Sequence, residues 1–305
     1  MNDQPLVGDD QTVDTTKPNV ARVYDHLLGG GHNFPADREH SARLTEAVPD
    51  ARHAAVVNRA FLRRAVIHMS EQGVRQFLDL GSGIPTVGNV HEIAHKFAPG
   101  SAVVYVDSDA VATAHSRILL GGVPAAAAVH ADLRYVDGVL SHPTVRDLLD
   151  FEQPIGLLLC AVLHFVSEQD DPARIVRSYV DALCLGSYVG ISHATADGRP
   201  VDVAAAVQLY QRRDIRFAPR SHAAVANLFS GLDLVPPGVV PTSHWRPDWR
   251  DLDEPGRSMS YAGLAMKSSE SVGMDWPRVD ADNPRERPAP ERTAGADGPI
   301  GTHDV

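Results

Sequence analysis

Three carboxylates in this 305-residue chain stand where short apolar runs stop. Asp79 lies in the run 77–80, which ends abruptly in Gly81-Ser82-Gly83. Asp107, with Ser108 behind it, closes the run 102–106, and Asp132, with Leu133, follows the small apolar residues 125–129. Glycines after a strand let the backbone pass close to a ligand, because no Cβ stands in the way. An acid at the end of the next strand can accept hydrogen bonds from both hydroxyls of a ribose. The spacing therefore points to a site for an adenosine-containing cofactor, with Asp107 on the sugar and Ser108 beside it.

Such a site needs a β-α-β unit to hold it, and 74–109 reads as one: an apolar run, a glycine turn, a helical stretch to about residue 98 and a second apolar run. A dinucleotide turn would read G-x-G-x-x-G, its third glycine letting the helix pack close. Thr86 occupies that third position with Pro85 before it. That disfavours a nicotinamide dinucleotide and leaves Thr86 a candidate contact for another cofactor. A third unit follows, with a helix over 110–120 and a strand over 125–129. The almost wholly apolar run 154–166 suits a central strand of a parallel sheet, buried on both faces. Its carboxyl end, with Ala161 and His164, falls where open α/β sheets place their ligand crevice. A helix over 172–183, a strand over 186–193, a helix over 201–215, a short helix capped by Ser221, and strands over 232–240 and 260–267 complete the alternation.

Ahead of the sheet, Val20, Val23, Tyr24, Leu27 and Leu28 share one helical face, closed by Gly29-Gly30-Gly31. The loop His32-Asn33-Phe34-Pro35 and helices over 36–47 and 51–72 come next. Three glycines beside polar and aromatic residues suit a hinge for a lid, or simply a helix stop and a loop. The organisation expected is a helical cap over 18–72, an α/β domain over 73–267, and polar, aperiodic tails over 1–17 and 268–305 that read as disordered.

With 43% hydrophobic residues the chain can bury one large core. It has no run of ~18 apolar residues, and its start is acidic where a signal peptide would be basic, so a cytoplasmic protein with no membrane partner is expected. A net charge of -11 lacks the basic footprint of a general nucleic-acid binder. Cys160 and Cys184 read as buried free thiols, the histidines as scattered, and no metal is expected.

The turn Asp79-Leu80-Gly81-Ser82-Gly83 resembles the E/D-x-G-x-G turn of class I S-adenosylmethionine-dependent methyltransferases. Ala161-Val162-Leu163-His164-Phe165 resembles the strand-four end of small-molecule members of that class, and the N/D-P-P-Y/F motif of those acting on bases or glutamine is missing. The stretch N-R-A-F-L-R-R, 58–64, resembles the segment before the first strand in the carboxyl-methyltransferase branch. Together with A-R-V-Y-D-H-L-L-G-G-G-H-N-F-P-A-D-R and the W-R-P-D loop, these stretches resemble an actinobacterial methyltransferase family formerly known as a domain of unknown function, over about residues 18–267. The resemblance implies a doubly wound, mostly parallel seven-stranded sheet with an antiparallel last strand, and S-adenosylmethionine as cofactor. It also implies Asp79, Gly81, Ser82 and Gly83 around the methionine end, Arg59 on its carboxylate, and Asp132 with Leu133 on adenine. Read from the residues alone, Arg59 could lie on a solvated helix face, Asp132 could be a helix N-cap, and His164 could cap its strand instead of orienting an acceptor or taking its proton.

The function expected is methyl transfer to a small molecule seated near Tyr24, Asn33, Phe34 and His164, with His164 and Tyr24 as catalytic candidates. Two alternatives share parts of the pattern. A protein that binds S-adenosylmethionine without turnover shares all the cofactor features, and an NAD(P)-linked oxidoreductase shares the β-α-β unit and Asp107.

Overall fold

The computed structural model describes residues 14–85, 88–247 and 255–269. Thr86, part of the W-R-P-D loop, and most of both expected tails lie outside the described residues. Strands β1 (Gln76–Leu80), β2 (Ala102–Asp107), β3 (Ala126–His130), β4 (Ile155–Cys160) and β5 (Tyr188–Ala194) are parallel. β6 (Asp233–Leu234), β7 (Val240–Pro241) and β8 (Ser260–Met266) follow, with β8 antiparallel to β5. The order is β3-β2-β1-β4-β5-β8-β6, with β7 also on β8, making an eight-stranded, doubly wound sheet where seven strands were expected. It reverses at β1, with β2 on one side and β4 on the other. Crevices outside the carboxyl ends of strands at such a switch point are where open α/β sheets hold ligands.

Helices α1 (Val20–Leu27), α2 (Pro35–Ala47) and α3 (Ala51–Glu71) precede the sheet. α4 (Val90–Phe97), α5 (Ala110–Leu119), α6 (Val136–Leu140), α7 (Pro143–Leu148) and α8 (Pro172–Ala182) connect its parallel strands, and α9 (Pro200–Gln211) and α10 (His222–Asn227) lie between β5 and β6. Among the described residues no helix is long and apolar enough to cross a membrane.

Side chains alternate along a strand with period two, which decides what each face carries. Phe77, Val103, Tyr105 and Leu158 pack with Phe61, Leu62, Ala65, Val66 and Met69 of α3. Leu78, Leu80, Val104, Val106, Leu157 and Leu159 pack with Ile175, Val176 and Tyr179 of α8 on the other face. Each such buried side chain contributes ~1.5–3 kcal/mol. Asp79 lies two residues beyond Phe77, and Asp107 two beyond Tyr105, so both fall on the α3 face. Through Gly73 (φ +93°) α3 turns straight into β1, so it runs back across the sheet with its first half over the carboxyl ends of the strands. Asn58 and Arg59 are carried by that first half.

A third cluster joins Val23 and Leu27 of α1, Leu44 of α2, Ala51 and Ala55 of α3, and Ala206 and Tyr210 of α9. The chamber above the sheet is therefore walled by α9 as well as by the N-terminal helices.

Three expectations on elements are corrected. The run 154–166 is not one strand: β4 ends at Cys160, Ala161 takes a left-handed φ of +56°, and Leu163–Phe165 forms a 3-10 turn. The strand expected over 232–240 is split into β6 and β7, because Pro236 and Pro237 have no N–H for a ladder. The helices α6 and α7 were not expected, being too short to show a period.

Candidate active site

The turn after β1 is shaped by two glycines in the left-handed region, Gly81 at φ +68° and Gly83 at φ +64°. A Cβ on Gly81 would stand 2.2 Å from a Val162 methyl. Gly81 and Ser82 donate their N–H groups to the Val106 carbonyl at 2.8 and 3.2 Å, tying the turn to β2. Asp107 completes the brace, accepting from Gly83 N at 2.7 Å and from Asp109 N at 2.8 Å, one on each carboxylate oxygen. Each oxygen keeps a lone pair for a further donor. Burial pushes this carboxyl up to about 6, with the two N–H groups pulling the other way.

Burial pushes Asp79 further, to about 7, with Arg59 opposing and Asp107 adding to the shift. Arg59 has no hydrogen-bonding or ion-pair partner among the described residues. Its Nε is buried and unsatisfied, and the guanidinium stands 5.8 Å from the Tyr24 ring centre. A planar cation with unspent donors in a cavity wall is a receptor for a carboxylate. Asp132 is no helix N-cap, because α6 starts after Tyr135. Its carboxylate grips Arg134, with N···O distances of 2.6–3.0 Å. Leu133 is buried, and its carbonyl accepts from Tyr179 Oη at 2.8 Å.

One cavity brings together Tyr24, Arg59, Asp79, Gly81, Ser82, Gly83, Asp107, Ser108, Asp132, Leu133, Ala161 and His164. Asn33 and Phe34 do not line it, which corrects the expectation that they face an acceptor. Buried Asp25 draws their loop in, accepting from His32 N and Asn33 Nδ2 at 2.9 Å each. Phe34 caps α2 and packs its ring under Arg22 at 5.2 Å. A Cβ on Gly30 would lie 2.0 Å from the Asp25 carboxylate, so the glycine run makes a braced turn.

Of the two catalytic candidates, His164 is corrected as a proton acceptor, and Tyr24 has its hydroxyl engaged within the protein. The Tyr24 hydroxyl donates to the Ala55 carbonyl at 3.1 Å and accepts from Asn58 Nδ2 at 2.8 Å, and burial raises its pKa. His164 Nδ1 accepts from Ala194 N at 3.2 Å, which fixes the ring proton on Nε2. Burial, His193 and Arg220 hold this imidazole well below the usual histidine range. His164 can therefore donate to a bound molecule but not take its proton. Both cysteines are free, as expected, but half-buried, with Cys160 in the cavity wall.

Sequence reasoning missed Asn58 and Ser192, which link α1, α3 and the β4 end. Ala161 N donates to Ser192 Oγ at 2.9 Å, Ser192 Oγ donates to Asn58 Oδ1, and Asn58 Nδ2 reaches Tyr24. It also missed Val203, Ala206 and Tyr210, whose i, i+3, i+7 spacing marks one face of α9. His91-Glu92-Ile93-Ala94-His95 was passed over too, although it has the H-E-x-x-H spacing of zinc proteases. Its groups are engaged otherwise: His91 Nδ1 with Tyr105 Oη at 2.8 Å, His95 Nε2 with the Ser101 carbonyl at 2.9 Å, and Glu92 in the capping box of α4. Among the described residues no group of three metal-ligating side chains occurs.

Residues 7–268 match the family model for S-adenosyl methyltransferase. A DUF574-family protein of Streptomyces avermitilis MA-4680 is 38% identical, with 83% of this chain and 99% of that chain covered at a TM-score of 0.80. A candidate methyltransferase of Thermobifida fusca YX is also 38% identical, with 84% and 97% covered at a TM-score of 0.79. No protein of curated function matches the chain.

Proposed function

The chain belongs to the S-adenosyl methyltransferase family, with S-adenosylmethionine as its cofactor, and from that premise we propose that it transfers a methyl group to a small-molecule acceptor. The nicotinamide alternative falls with that assignment. The carrying observation is the unpaired Arg59 guanidinium in the wall of a cavity that also holds the glycine turn, Asp79, Asp107 and Asp132.

These residues fit the cofactor. Arg59 would hold the methionine carboxylate, and Asp79 with the turn 81–83 would surround the rest of the methionine end. Asp107, with one free lone pair on each oxygen, would take the ribose hydroxyls. Asp132 and Leu133 would meet adenine, Asp132 sharing its oxygens with Arg134. When bound, S-adenosylmethionine would supply an activated methyl: a lone pair on the acceptor bonds to the methyl carbon, the carbon–sulfur electron pair returns to sulfur, and any proton on the methylated atom passes to bulk solvent once the product has left the site. The protein's part is to orient the acceptor and exclude water. An acceptor chamber walled by α1, α2 and α9 suits a metabolite, and the charge of -11 does not favour nucleic acid.

Calorimetry tests the cofactor roles. Arg59→Ala should weaken S-adenosylmethionine binding by roughly 1.5–3 kcal/mol, the range for hydrogen bonds to charged groups, yet leave decarboxylated S-adenosylmethionine unaffected. Asp107→Ala should weaken both. Equal losses for the two ligands in Arg59→Ala would remove Arg59 from the carboxylate. Turnover is tested with methyl-labelled cofactor and the protein-free metabolite fraction of a Streptomyces culture. Label should pass to a small molecule with wild type and not with Asp107→Ala; no transfer from any such fraction would favour binding without turnover.

A further inference from the structure

The cavity divides by charge. The charged residues of its lining, Arg59, Asp79, Asp107 and Asp132, all belong to the half around the glycine turn and the strand ends. The other half is uncharged and largely apolar, with Ser192, Ser258 and Ser260 in its lining and a group of rings at its end: His164, Phe165, Tyr210 and Phe217. The His164 and Tyr210 rings each lie 5.1 Å from the Phe217 ring, and Phe165 lies 4.5 Å from His164 and 5.9 Å from Tyr210. His164 and His193 are both held neutral by burial, and the cation behind them, Arg220, lies outside the lining, with its guanidinium on His193 Nε2 at 2.6 Å and paired to Glu168, so no charged side chain lines this half. An ionic group placed there would lose its hydration and find no counter-charge in the lining itself.

Two donors in this half are unspent. Tyr210 is only 7% exposed, yet its hydroxyl has no hydrogen-bond partner among the described residues. Burial alone pushes this phenol up, so it stays protonated. The second is His164 Nε2–H, left over because Nδ1 accepts from Ala194 N. Both residues line the chamber, so a molecule bound there can accept from these two donors. Edge and offset contacts with the surrounding rings favour a flat π-system over a saturated one.

We infer that the methyl acceptor is an uncharged planar aromatic compound bearing hydrogen-bond-accepting atoms, held by the Tyr210 hydroxyl and His164 Nε2–H between α9 and the end of β4. This rests on the methyltransferase reading and names the substrate class of that site. The bond changes are those of the transfer step above, with the lone pair supplied by the acceptor.

S-adenosylhomocysteine is first titrated into the full chain, and failure to bind would overturn the cofactor reading and this inference with it. The loaded protein is then titrated with quinoxaline, with naphthalene, which is equally flat but has no accepting atom, and with quinoxaline-2-carboxylate. Quinoxaline should bind more tightly than naphthalene, and the carboxylate should not bind measurably. Tyr210→Phe deletes an oxygen that bonds to nothing in the described protein, so it should fold and take S-adenosylhomocysteine normally. It should weaken quinoxaline roughly three- to tenfold, the range for one neutral hydrogen bond, and leave naphthalene unchanged. If S-adenosylhomocysteine binds but quinoxaline does not, or binds no better than naphthalene, or equally well to Tyr210→Phe, or if the carboxylate binds as well as quinoxaline, the inference is overturned.

Discussion

Asp79 is a carboxylate that the ligand-free fold accommodates badly. It is 5% exposed and has no hydrogen-bond partner among the described residues, and burial pushes its carboxyl up to about 7. The unfolded chain loses this proton near 3.8, while the folded chain keeps it to about 7. The folded state thus binds more protons in that window, so stability falls as pH rises through it, and the cost is complete above pH 7. Asp79→Asn should therefore raise the melting temperature at pH 8, by a gain on the order of 2–4 kcal/mol, and bring no gain below pH 4. The same variant should weaken S-adenosylmethionine binding if Asp79 serves the methionine end as proposed. An unchanged melting temperature at pH 8 would show that the buried charge carries no cost.

At the scale of elements, α3 joins the parts of the molecule that the sequence reading divided into cap and α/β domain. Its second half packs on the sheet through Phe61, Ala65 and Met69, and its first half packs against α1 and α2 through Ala51 and Ala55. Between them Asn58 bonds to Tyr24 of α1 and to Ser192 of β5. Asn58→Ala removes one partner from each hydroxyl, leaving Tyr24 its bond to the Ala55 carbonyl and Ser192 its bond from Ala161 N, at a cost of ~1–3 kcal/mol. Ser192→Ala breaks one of the same links, so denaturant unfolding of the double variant should show less than the sum of the two single losses. Strict additivity would mean that the chain of bonds from α1 to β5 does not act as a unit.

For the whole molecule two sets of buried groups pull stability in opposite directions with pH. Asp79 and Asp107 have raised pKa values and favour the folded state as pH falls. Seven histidines, His40, His68, His91, His115, His142, His164 and His193, are lowered from the usual 6.5, chiefly by burial. Below 6.5 the unfolded chain takes up their protons first, so their contribution is lost as pH falls. Removing one carboxyl from this balance has a definite sign: the melting temperature of Asp79→Asn should drop more steeply, or climb less, between pH 7 and pH 5 than that of wild type. Parallel profiles for the two proteins would show that Asp79 does not take part in the balance.

Much of this was readable before folding. Runs of β-branched and apolar residues mark β1, β2 and β3, the glycines mark the turn, and each of the three acids is placed by its neighbours in sequence, so local spacing was enough to bring out the half of the cavity that the glycine turn and the three acids line. The half lined by rings was not readable, because nothing near Tyr210 or Phe217 in the chain says that α9 will face α2. Asn33 and Phe34 lie close to Tyr24 in sequence, yet a hydrogen-bonded turn around Asp25 carries them away from the cavity. Protonation states were equally hidden: His164 loses its role as a base only because Ala194 N occupies Nδ1 and burial removes its charge. Residue type and local spacing select strands, turns and helix faces. Which groups share a cavity, and whether they are charged there, depends on burial and on partners far along the chain, and those exist only once the helices close over the sheet.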